Sequence, residues 1–262
     1  MAEAIADLTA AVVAVTREAA AMAFARWQTD FARWEKTPGS PVCEVDLDVD
    51  RMLRARLAGL LPDAGWLSEE TVDSPDRLRR SRVWVVDPID GTRDYIRGRP
   101  GWAVSVALVD DGEVVLGVLD APARDERWHA TRGQGAWRND VALHAGDRNV
   151  LAGARVPTDA LPKIDRHLTA VHKPNSIALR MAMVAADEAD LLTTLRWGNE
   201  WDIAAAALIA AEAGATVSDA LGAPLRYNKP DPTAFGVMVA APGIHAEALA
   251  WLADRAHAAF GH

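Results

Sequence analysis

The chain has 262 residues, of which 50% are hydrophobic and 25% are charged, enough to bury a sizeable core as one large domain or two joined lobes. Its formal net charge of −9 argues against binding to a nucleic-acid polymer, which requires a basic surface. Its single cysteine, Cys43, excludes an internal disulfide and a cysteine-based zinc site.

The N-terminal segment predicts a scaffold helix. Apolar residues recur at three- and four-residue steps over residues 3–35, which is typical of one long helix packed on a core. No basic residue precedes Arg17, so the segment does not have the pattern of a signal peptide. We also expect no apolar run long enough to cross a membrane, and therefore a cytoplasmic protein.

A break at residues 37–41 precedes a second predicted helix over residues 46–61. Asp46, Asp48 and Asp50 crowd its start, where the helix dipole favours carboxylates. Residues 66–67 then form a short predicted strand that delivers Glu69 and Glu70, and an exposed acidic connection follows at residues 73–80.

Residues 82–92 contain the most informative pattern. Val83 to Val86 predict a buried strand that ends in Asp87, and Pro88 is expected to stop it because proline has no N–H for a ladder. Asp90 then opens a predicted helix or tight turn, whose free N–H groups would attract phosphate. Because two carboxylates would repel a phosphate, the stretch predicts a divalent cation between them.

The spacing of Asp87 and Asp90 limits the alternatives. A helix-loop-helix calcium site requires acids at alternate positions, and a phosphatase with an aspartyl nucleophile places its two aspartates two residues apart. The two acids here are three residues apart. Turn chemistry alone stays open as an explanation, but the pattern favours a metal-binding strand end beside a phosphate-binding turn.

The rest of the chain shows two patterns of predicted secondary structure, first consecutive strands and then strands that alternate with helices. Residues 102–110 and 113–120 alternate around Asp111-Gly112 and predict a hairpin, with further short strands over residues 126–143. Strands and helices alternate afterwards, which predicts a mostly parallel or mixed sheet. The predicted strands are 150–156, 190–194, 215–218 and 235–240, and the predicted helices are 177–186, 203–213 and 244–259.

The expected fold class is therefore α/β (α+β). An antiparallel sheet would form the N-terminal lobe, residues 1–145, and a mixed sheet the C-terminal lobe, residues 146–262.

Three segments resemble motifs of the inositol monophosphatase superfamily of magnesium-dependent, lithium-sensitive phosphatases, and they follow one another along the chain in the same order as in that superfamily. They are Asp87-Pro88-Ile89-Asp90-Gly91-Thr92, Ser68-Glu69-Glu70-Thr71 and Trp201-Asp202-Ile203-Ala204-Ala205. The resemblance spans residues 36–228 and implies a layered αβαβα sandwich.

The resemblance also implies a metal-dependent active site. Two or three Mg²⁺ ions are expected, with Mn²⁺ able to substitute, and an activated water would attack the phosphate without a covalent enzyme intermediate. The implied metal ligands are Glu69, Asp87, the carbonyl of Ile89, Asp90 and Asp202. The implied catalytic residues are Asp46, Glu69 and Thr92, and the implied substrate contacts at the turn are Asp90, Gly91 and Thr92.

Two of these residues also have a purely local interpretation. Asp202 would be the N-cap of the helix at 203–213, and Asp46 would be one of three acids at a helix start. The resemblance makes Asp202 a ligand contributed by the C-terminal lobe and places Asp46 at the site. Asp48 and Asp50 are expected at the surface.

The expected substrate class follows from the positions at which this sequence differs from the inositol-specific members of the superfamily. Inositol-specific members have a glutamate where this chain has Leu195, and residues 68–70, 200–202 and 224–229 resemble the 3'(2'),5'-bisphosphate nucleotidase branch, the CysQ type. The implied substrate is adenosine 3',5'-bisphosphate, with Leu195 as an apolar wall and Arg226 near the second phosphate. Inositol-1-phosphate, histidinol phosphate and fructose 1,6-bisphosphate stay open.

The expected partner is a small phosphorylated metabolite, with no nucleic-acid polymer and no membrane, and a homodimer is left open. A non-catalytic binding module on the same fold is the alternative from another functional class. The complete set of acids favours the enzyme.

Overall fold

The computed structural model describes residues 2–37 and 39–261. Within them the helices are α1 (Ala2–Arg26), α2 (Glu44–Leu60), α3 (Thr92–Ile96), α4 (Ile177–Ala185), α5 (Glu200–Glu212) and α6 (His245–Phe260). The strands of the N-terminal half are β1 (Arg33–Thr37), β2 (Ser40–Cys43), β3 (Gly65–Ser68), β4 (Arg82–Asp90), β5 (Ala103–Asp110), β6 (Glu113–Ala121), β7 (Glu126–Thr131), β8 (Ala136–Arg138) and β9 (Val141–Ala142). Those of the C-terminal half are β10 (Arg155–Pro157), β11 (Thr169–Val171), β12 (Leu191–Asn199), β13 (Thr216–Ser218) and β14 (Thr233–Ala240).

A seven-stranded sheet with the order β3-β4-β5-β6-β7-β8-β9 lies between two layers of helices. Its central strands are apolar at successive positions. Because successive side chains of a strand point to opposite sides, these residues reach the helices on both faces of the sheet. Trp84 and Val86 belong to the core shared with α1 and α2, whereas Val83 and Val85 belong to the core shared with α4 and α5. The predicted hairpin is confirmed as the antiparallel pair β5–β6.

A second, antiparallel sheet with the order β12-β14-β13 covers the other side of α4 and α5. Leu192 and Val239 face those helices, and Leu191 and Met238 face α6 on the opposite side. The layers therefore run helix, sheet, helix, sheet, helix, and the expected αβαβα fold is confirmed. The mostly parallel or mixed sheet predicted for this half is not what β12, β14 and β13 form, since both of their pairings are antiparallel; a parallel pairing lies in the separate sheet of β10 and β11.

The helix predicted over residues 3–35 is shorter than expected. It ends at Arg26, and Gln28 has a left-handed backbone with φ of 62°, which a continuing helix does not allow. Strand β1 then pairs with β2 across the predicted break. Pro38, which is part of that break, lies outside the described residues.

Helix α1 also corrects the expectation about apolar runs. Its segment Ile5–Arg26 is long and apolar enough to cross a membrane by length and composition alone. One face of it, including Val12, Val15 and Ala19, is buried in the core beneath the large sheet.

Strand β4 does not stop at Pro88 but continues to Asp90. Its pairing with β5 shifts register between Asp87 and Asp90, and such an irregularity leaves a residue outside the regular ladder. Proline is tolerated there because no ladder donor is required of it.

The strand predicted at residues 150–156 is largely wrong. Gly153 has a φ of 78°, and the Arg148 side chain donates to carbonyls of Val150 and Ala152, so this stretch is a turn that precedes β10. The boundary between lobes at residue 145 stays a prediction.

Candidate active site

Three carboxylates from separate elements meet at one edge of the large sheet. Glu69 follows β3, Asp87 lies in β4, and Asp202 lies in the first turn of α5. Each offers an oxygen, and these oxygens all lie within 4.8 Å of one another. Strands β3 and β4 are parallel neighbours, and the Glu69 N–H donates to the Val86 carbonyl at 3.2 Å. This pairing brings Glu69 beside the end of β4.

Asp202 is held by the backbone that precedes its helix. The N-cap of α5 is Asn199, and Asp202 is the third helical residue, so the local interpretation of Asp202 as the N-cap is wrong. Its Oδ2 accepts a hydrogen bond from the Asn199 N–H at 3.0 Å, which completes a capping box. That bond orients the carboxylate toward Glu69 and Asp87.

Asp90 points to α4 rather than capping the helix that follows it. Its Oδ2 accepts from the Ser176 hydroxyl and, at 2.7 Å, from the Ala178 N–H, and its Oδ1 accepts from the Ile177 N–H at 3.3 Å. The N-cap of α3 is Gly91, with φ of 98°. Burial raises the pKa of Asp90 to about 6, although these hydrogen bonds oppose the rise.

Gly91 is required at this corner. A Cβ there would lie 2.6 Å from the Gly101 carbonyl oxygen and 3.0 Å from the Ser176 nitrogen, and its φ is in the left-handed region. Gly91 and Thr92 both line the cavity above the acids, and their role as substrate contacts stays a prediction.

Asp46 and Thr92 are brought together next to the acids. Thr92 Oγ1 lies 3.3 Å from Asp46 Oδ1 and 2.9 Å from the Ile89 carbonyl. Asp46 Oδ2 accepts from the N–H and the thiol of Cys43, at 2.8 and 2.9 Å. Burial raises the pKa of Asp46 to about 6, so this carboxylate can exchange a proton near neutral pH.

The loop that contains Glu69 is anchored by a residue that we expected at the surface. Asp50 is 5% exposed, and its two oxygens accept hydrogen bonds from the hydroxyls of Ser68 and Thr71. Burial follows from the position of Asp50 on the inner face of α2. Ser68 and Thr71, which flank the acid pair in sequence, are the signal that could have indicated a buried partner.

Lys36 is the cation nearest to this loop. Its Nζ lies 3.0 Å from Glu69 Oε1 and 2.7 Å from Glu70 Oε1. Burial lowers the pKa of Lys36, but the charge of Glu69 and the bonds to both acids outweigh burial, and the net pKa is raised. Burial raises the pKa of Glu70 to about 7.

The acid cluster fits a hard divalent cation. Burial, then the charges of Glu69 and Asp90, raise the pKa of Asp87 well above its usual value, and burial with the charge of Asp90 raises the pKa of Asp202 to about 7. A cation bound among these oxygens would relieve the repulsion and the desolvation together. An all-oxygen donor set suits Mg²⁺ or Mn²⁺.

The cavity above the acids, of about 400 Å³, also has basic walls. The basic residues that line it are Arg93, Lys173, Arg180 and Arg196. The last three were missed by sequence reasoning, because α4, β12 and the loop before α4 reach the site only in the tertiary structure.

Arg180 is the most unusual of these basic residues. It is only 9% exposed, and its Nε and one terminal nitrogen donate to the carbonyls of Ser176 and Asn175, each at 3.2 Å. Within the described residues it forms no ion pair with a carboxylate. Burial lowers the pKa of Arg180, and the charges of Asp90 and Asp159, which act from beyond ion-pair distance, only partly oppose this, so the cavity is suited to an anionic ligand.

Two expected substrate contacts lie elsewhere. Leu195 packs with Leu191 against the α6 core, because residues four apart on a strand share one face. Arg226 pairs with Glu113 and lines a different cavity, with Val114 and Ala207. Neither residue lines the cavity above the acids.

Comparisons with known proteins show the family to which the chain belongs. The model of the inositol monophosphatase family matches residues 5–258. An inositol-1-monophosphatase of Rhizobium meliloti is 34% identical over 207 residues, 71% of this chain and 75% of the relative. The 3'(2'),5'-bisphosphate nucleotidase CysQ of Escherichia coli is 34% identical over 204 residues, 74% of this chain and 82% of the relative. A solved structure of a Thermotoga maritima IMPase is similar with a TM-score of 0.80 at 27% identity, covering 94% of this chain and 97% of that one.

Proposed function

As a member of the inositol monophosphatase family, the chain is a metal-dependent phosphatase, and we propose that it removes the 3'-phosphate of adenosine 3',5'-bisphosphate with Mg²⁺ as its metal. The observation that carries this proposal is that an acid cluster and the buried Arg180, which has no carboxylate at ion-pair distance among the described residues, lie in one cavity. The acids suit a metal-bound phosphate, and the arginine suits a second anionic group on the same substrate.

The residues of the cluster have distinct roles in this proposal. Glu69, Asp87 and the Ile89 carbonyl would hold one Mg²⁺, and Asp87, Asp90 and Asp202 would hold a second. When bound, these ions supply Lewis-acid charge that makes a water nucleophilic and stabilises charge on the phosphoryl and leaving oxygens.

Thr92 and Asp46 would orient the attacking water and accept its proton. The Thr92 hydroxyl has one proton, so it donates either to the Ile89 carbonyl or to Asp46 and remains able to accept from a water. As the water oxygen bonds to phosphorus and the P–O3' bond breaks, the water's proton would pass through the Thr92 hydroxyl to Asp46, whose pKa is about 6, and the released 3'-oxygen would take a proton from solvent. Since the water is the nucleophile, no phosphorylated residue would form.

The basic wall would bind the second phosphate. Arg180 has a fixed guanidinium, and Arg196 and Lys173 stand at the more exposed rim of the same cavity. Guanidinium groups bind phosphate with paired hydrogen bonds, so a bisphosphate would gain contacts that a monophosphate lacks. These residues replace Arg226 and Leu195 in the proposal for the substrate subsite.

Inositol-1-phosphate is the second candidate substrate. Relatives named as inositol monophosphatase and as bisphosphate nucleotidase are both 34% identical to this chain, so overall similarity does not separate them. The proposed compartment is the cytoplasm, and sensitivity to lithium is part of the proposal.

The test is phosphate release in Mg²⁺ from adenosine 3',5'-bisphosphate, inositol-1-phosphate, histidinol phosphate and fructose 1,6-bisphosphate. We expect kcat/KM for the adenosine bisphosphate to exceed that for inositol-1-phosphate at least tenfold, about 1.4 kcal/mol of transition-state binding. Excess EDTA should abolish activity, and Mg²⁺ or Mn²⁺ should restore it. A higher kcat/KM for inositol-1-phosphate would contradict the substrate assignment, and full activity in EDTA would contradict the mechanism.

A further inference from the structure

Two segments that bring acids to the cluster are joined by a buried network outside the cavity. The connection after Glu69 was expected to be exposed, but it contains a 3₁₀-helix, Pro75–Arg79, in which Arg77 is only 2% exposed. At the other end, Glu200 is the first residue of α5, two positions before Asp202, and is fully buried.

Arg77 connects its own loop to a distant turn. Its Nε and one terminal nitrogen donate to the two oxygens of Asp73, at 2.7 and 2.8 Å. The remaining donors reach Asn228 Oδ1 at 2.8 Å and the Lys229 carbonyl at 2.9 Å. Such a planar, multiply bonded guanidinium fixes both position and orientation.

The same turn is fastened to α5 by Glu200. One carboxylate oxygen accepts from the Asn228 N–H at 2.6 Å and the other from the Lys229 N–H at 3.2 Å. The Lys229 ammonium donates to the Thr233 carbonyl and lies 3.9 Å from Glu200. The segment 224–229, which we expected near the substrate, is thereby bound to the start of α5.

The 3₁₀-helix is also packed tightly on the strand that delivers Glu69. A Cβ on Gly65, the first residue of β3, would lie 3.0 Å from the Arg77 Cβ and 3.1 Å from its Cα. Contacts this close leave little room for the helix to move relative to β3.

We propose that Arg77, Asn228 and Glu200 form a strut that positions the metal ligand Asp202 against Glu69. The strut touches neither substrate nor metal, and its members are positioning residues. It runs from the segment that follows β3, through the turn at residues 228–229, to the first turn of α5. Loss of the strut would let the two acids drift apart and would weaken cation binding. This inference rests on the proposed metal site but not on the proposed substrate.

The test measures Mn²⁺ binding to the metal-free protein at pH 8, without substrate, from the electron paramagnetic resonance signal of free Mn²⁺. Arg77→Met should weaken binding about tenfold, roughly 1.4 kcal/mol. The sign of the change in Mn²⁺ affinity separates lost positioning from a simple charge effect. Removal of a positive charge would by electrostatics alone tighten the binding of a cation. Unchanged or tighter binding in this variant would overturn the strut.

Two further variants complete the test. Asn228→Gly keeps the left-handed backbone, with φ of 58°, and removes the side-chain bonds to Arg77, so it should weaken Mn²⁺ binding two- to threefold even if Arg77→Met does not fold. Arg255→Met is the matched control: it removes an arginine that binds Asp165 from α6, and it should leave Mn²⁺ binding unchanged. Equal weakening in the control would overturn the inference, and a wild-type protein that does not bind Mn²⁺ would overturn the metal site as well.

Discussion

The Asp90 carboxylate lies 2.7 Å from the backbone nitrogen of Ala178, and it therefore caps a helix that begins almost ninety residues later in the chain. One residue of the motif in β4 thus fixes α4, and α4 in turn contributes Arg180 to the cavity. Each carboxylate oxygen has two lone pairs, so Asp90 is able to bind a metal while it caps α4. The architecture of the basic wall depends on the same side chain as the proposed metal site.

Asp90→Asn should lower both activity and stability. The amide keeps the shape but loses the charge, and its NH₂ group would face donors at the start of α4. We expect kcat to fall about 100-fold and the free energy of unfolding to fall by about 1–2 kcal/mol. Both are measured in saturating Mg²⁺, by phosphate release and by thermal denaturation. Ser176→Ala is the control that weakens the cap and keeps the charge, and its kcat should fall less. Near-normal turnover of Asp90→Asn would make Asp90 only a cap.

Asp202→Asn should stabilise the metal-free protein at high pH. The pKa of Asp202, about 7 in the folded state, lies above its value near 3.9 in an unfolded chain. The folded state therefore binds more protons between these values, and its stability falls as the pH rises from about 4 to about 7. An asparagine cannot ionise and avoids this loss.

The measurement is denaturation in EDTA at pH 4.5 and pH 8. We expect the variant to exceed the wild type by on the order of 1–3 kcal/mol at pH 8, with little difference at pH 4.5. Mg²⁺ should reverse the order at pH 8, because the variant has lost a ligand. A variant less stable than the wild type in EDTA at pH 8 would show that the bond to Asn199 dominates.

Thr92→Val should lower kcat and leave metal affinity unchanged. The substitution removes the hydroxyl that contacts Asp46 and the Ile89 carbonyl, while the shape is conserved. We expect a loss in kcat of about 100-fold, on the scale of general acid–base catalysis. Thr92→Ser should retain activity within a few-fold, and Mn²⁺ titration should give equal affinities for both variants. An equal loss of metal affinity in Thr92→Val would assign Thr92 to the metal site rather than to the proton.

Arg196→Ala should impair bisphosphates selectively. Arg196 lies at the exposed rim of the cavity, where a second phosphate would reach it. We expect kcat/KM for adenosine 3',5'-bisphosphate to fall about tenfold and that for adenosine 3'-monophosphate to fall less than about twofold. Arg226→Ala is the matched control, since Arg226 pairs with Glu113 at another cavity. A selective loss in the control, or equal loss on both substrates in Arg196→Ala, would contradict the subsite.

Local patterns in the sequence determined most of the elements and, of the acid cluster, the position of Asp87. The turn between β5 and β6, the periodicity of α2 and the long apolar run of α5 follow from neighbours a few residues apart, and so does the placement of Asp87 in a buried strand. The resemblance of three short motifs then brought Glu69, Asp87 and Asp202 together, and their oxygens do converge.

The tertiary structure alone decided what each side chain meets. Asp50 was expected at the surface because its partners, Ser68 and Thr71, lie on another element. Leu195 was expected at the substrate from the resemblance alone, and the local sequence of a strand does not say which of its faces packs on α6. Arg180 and Arg196 reach the cavity only after two sheets have packed on α4 and α5. Hydrophobic periodicity is a local property that a sequence displays directly, whereas the partner of a polar side chain is set by long-range packing, in which one contact fixes the next.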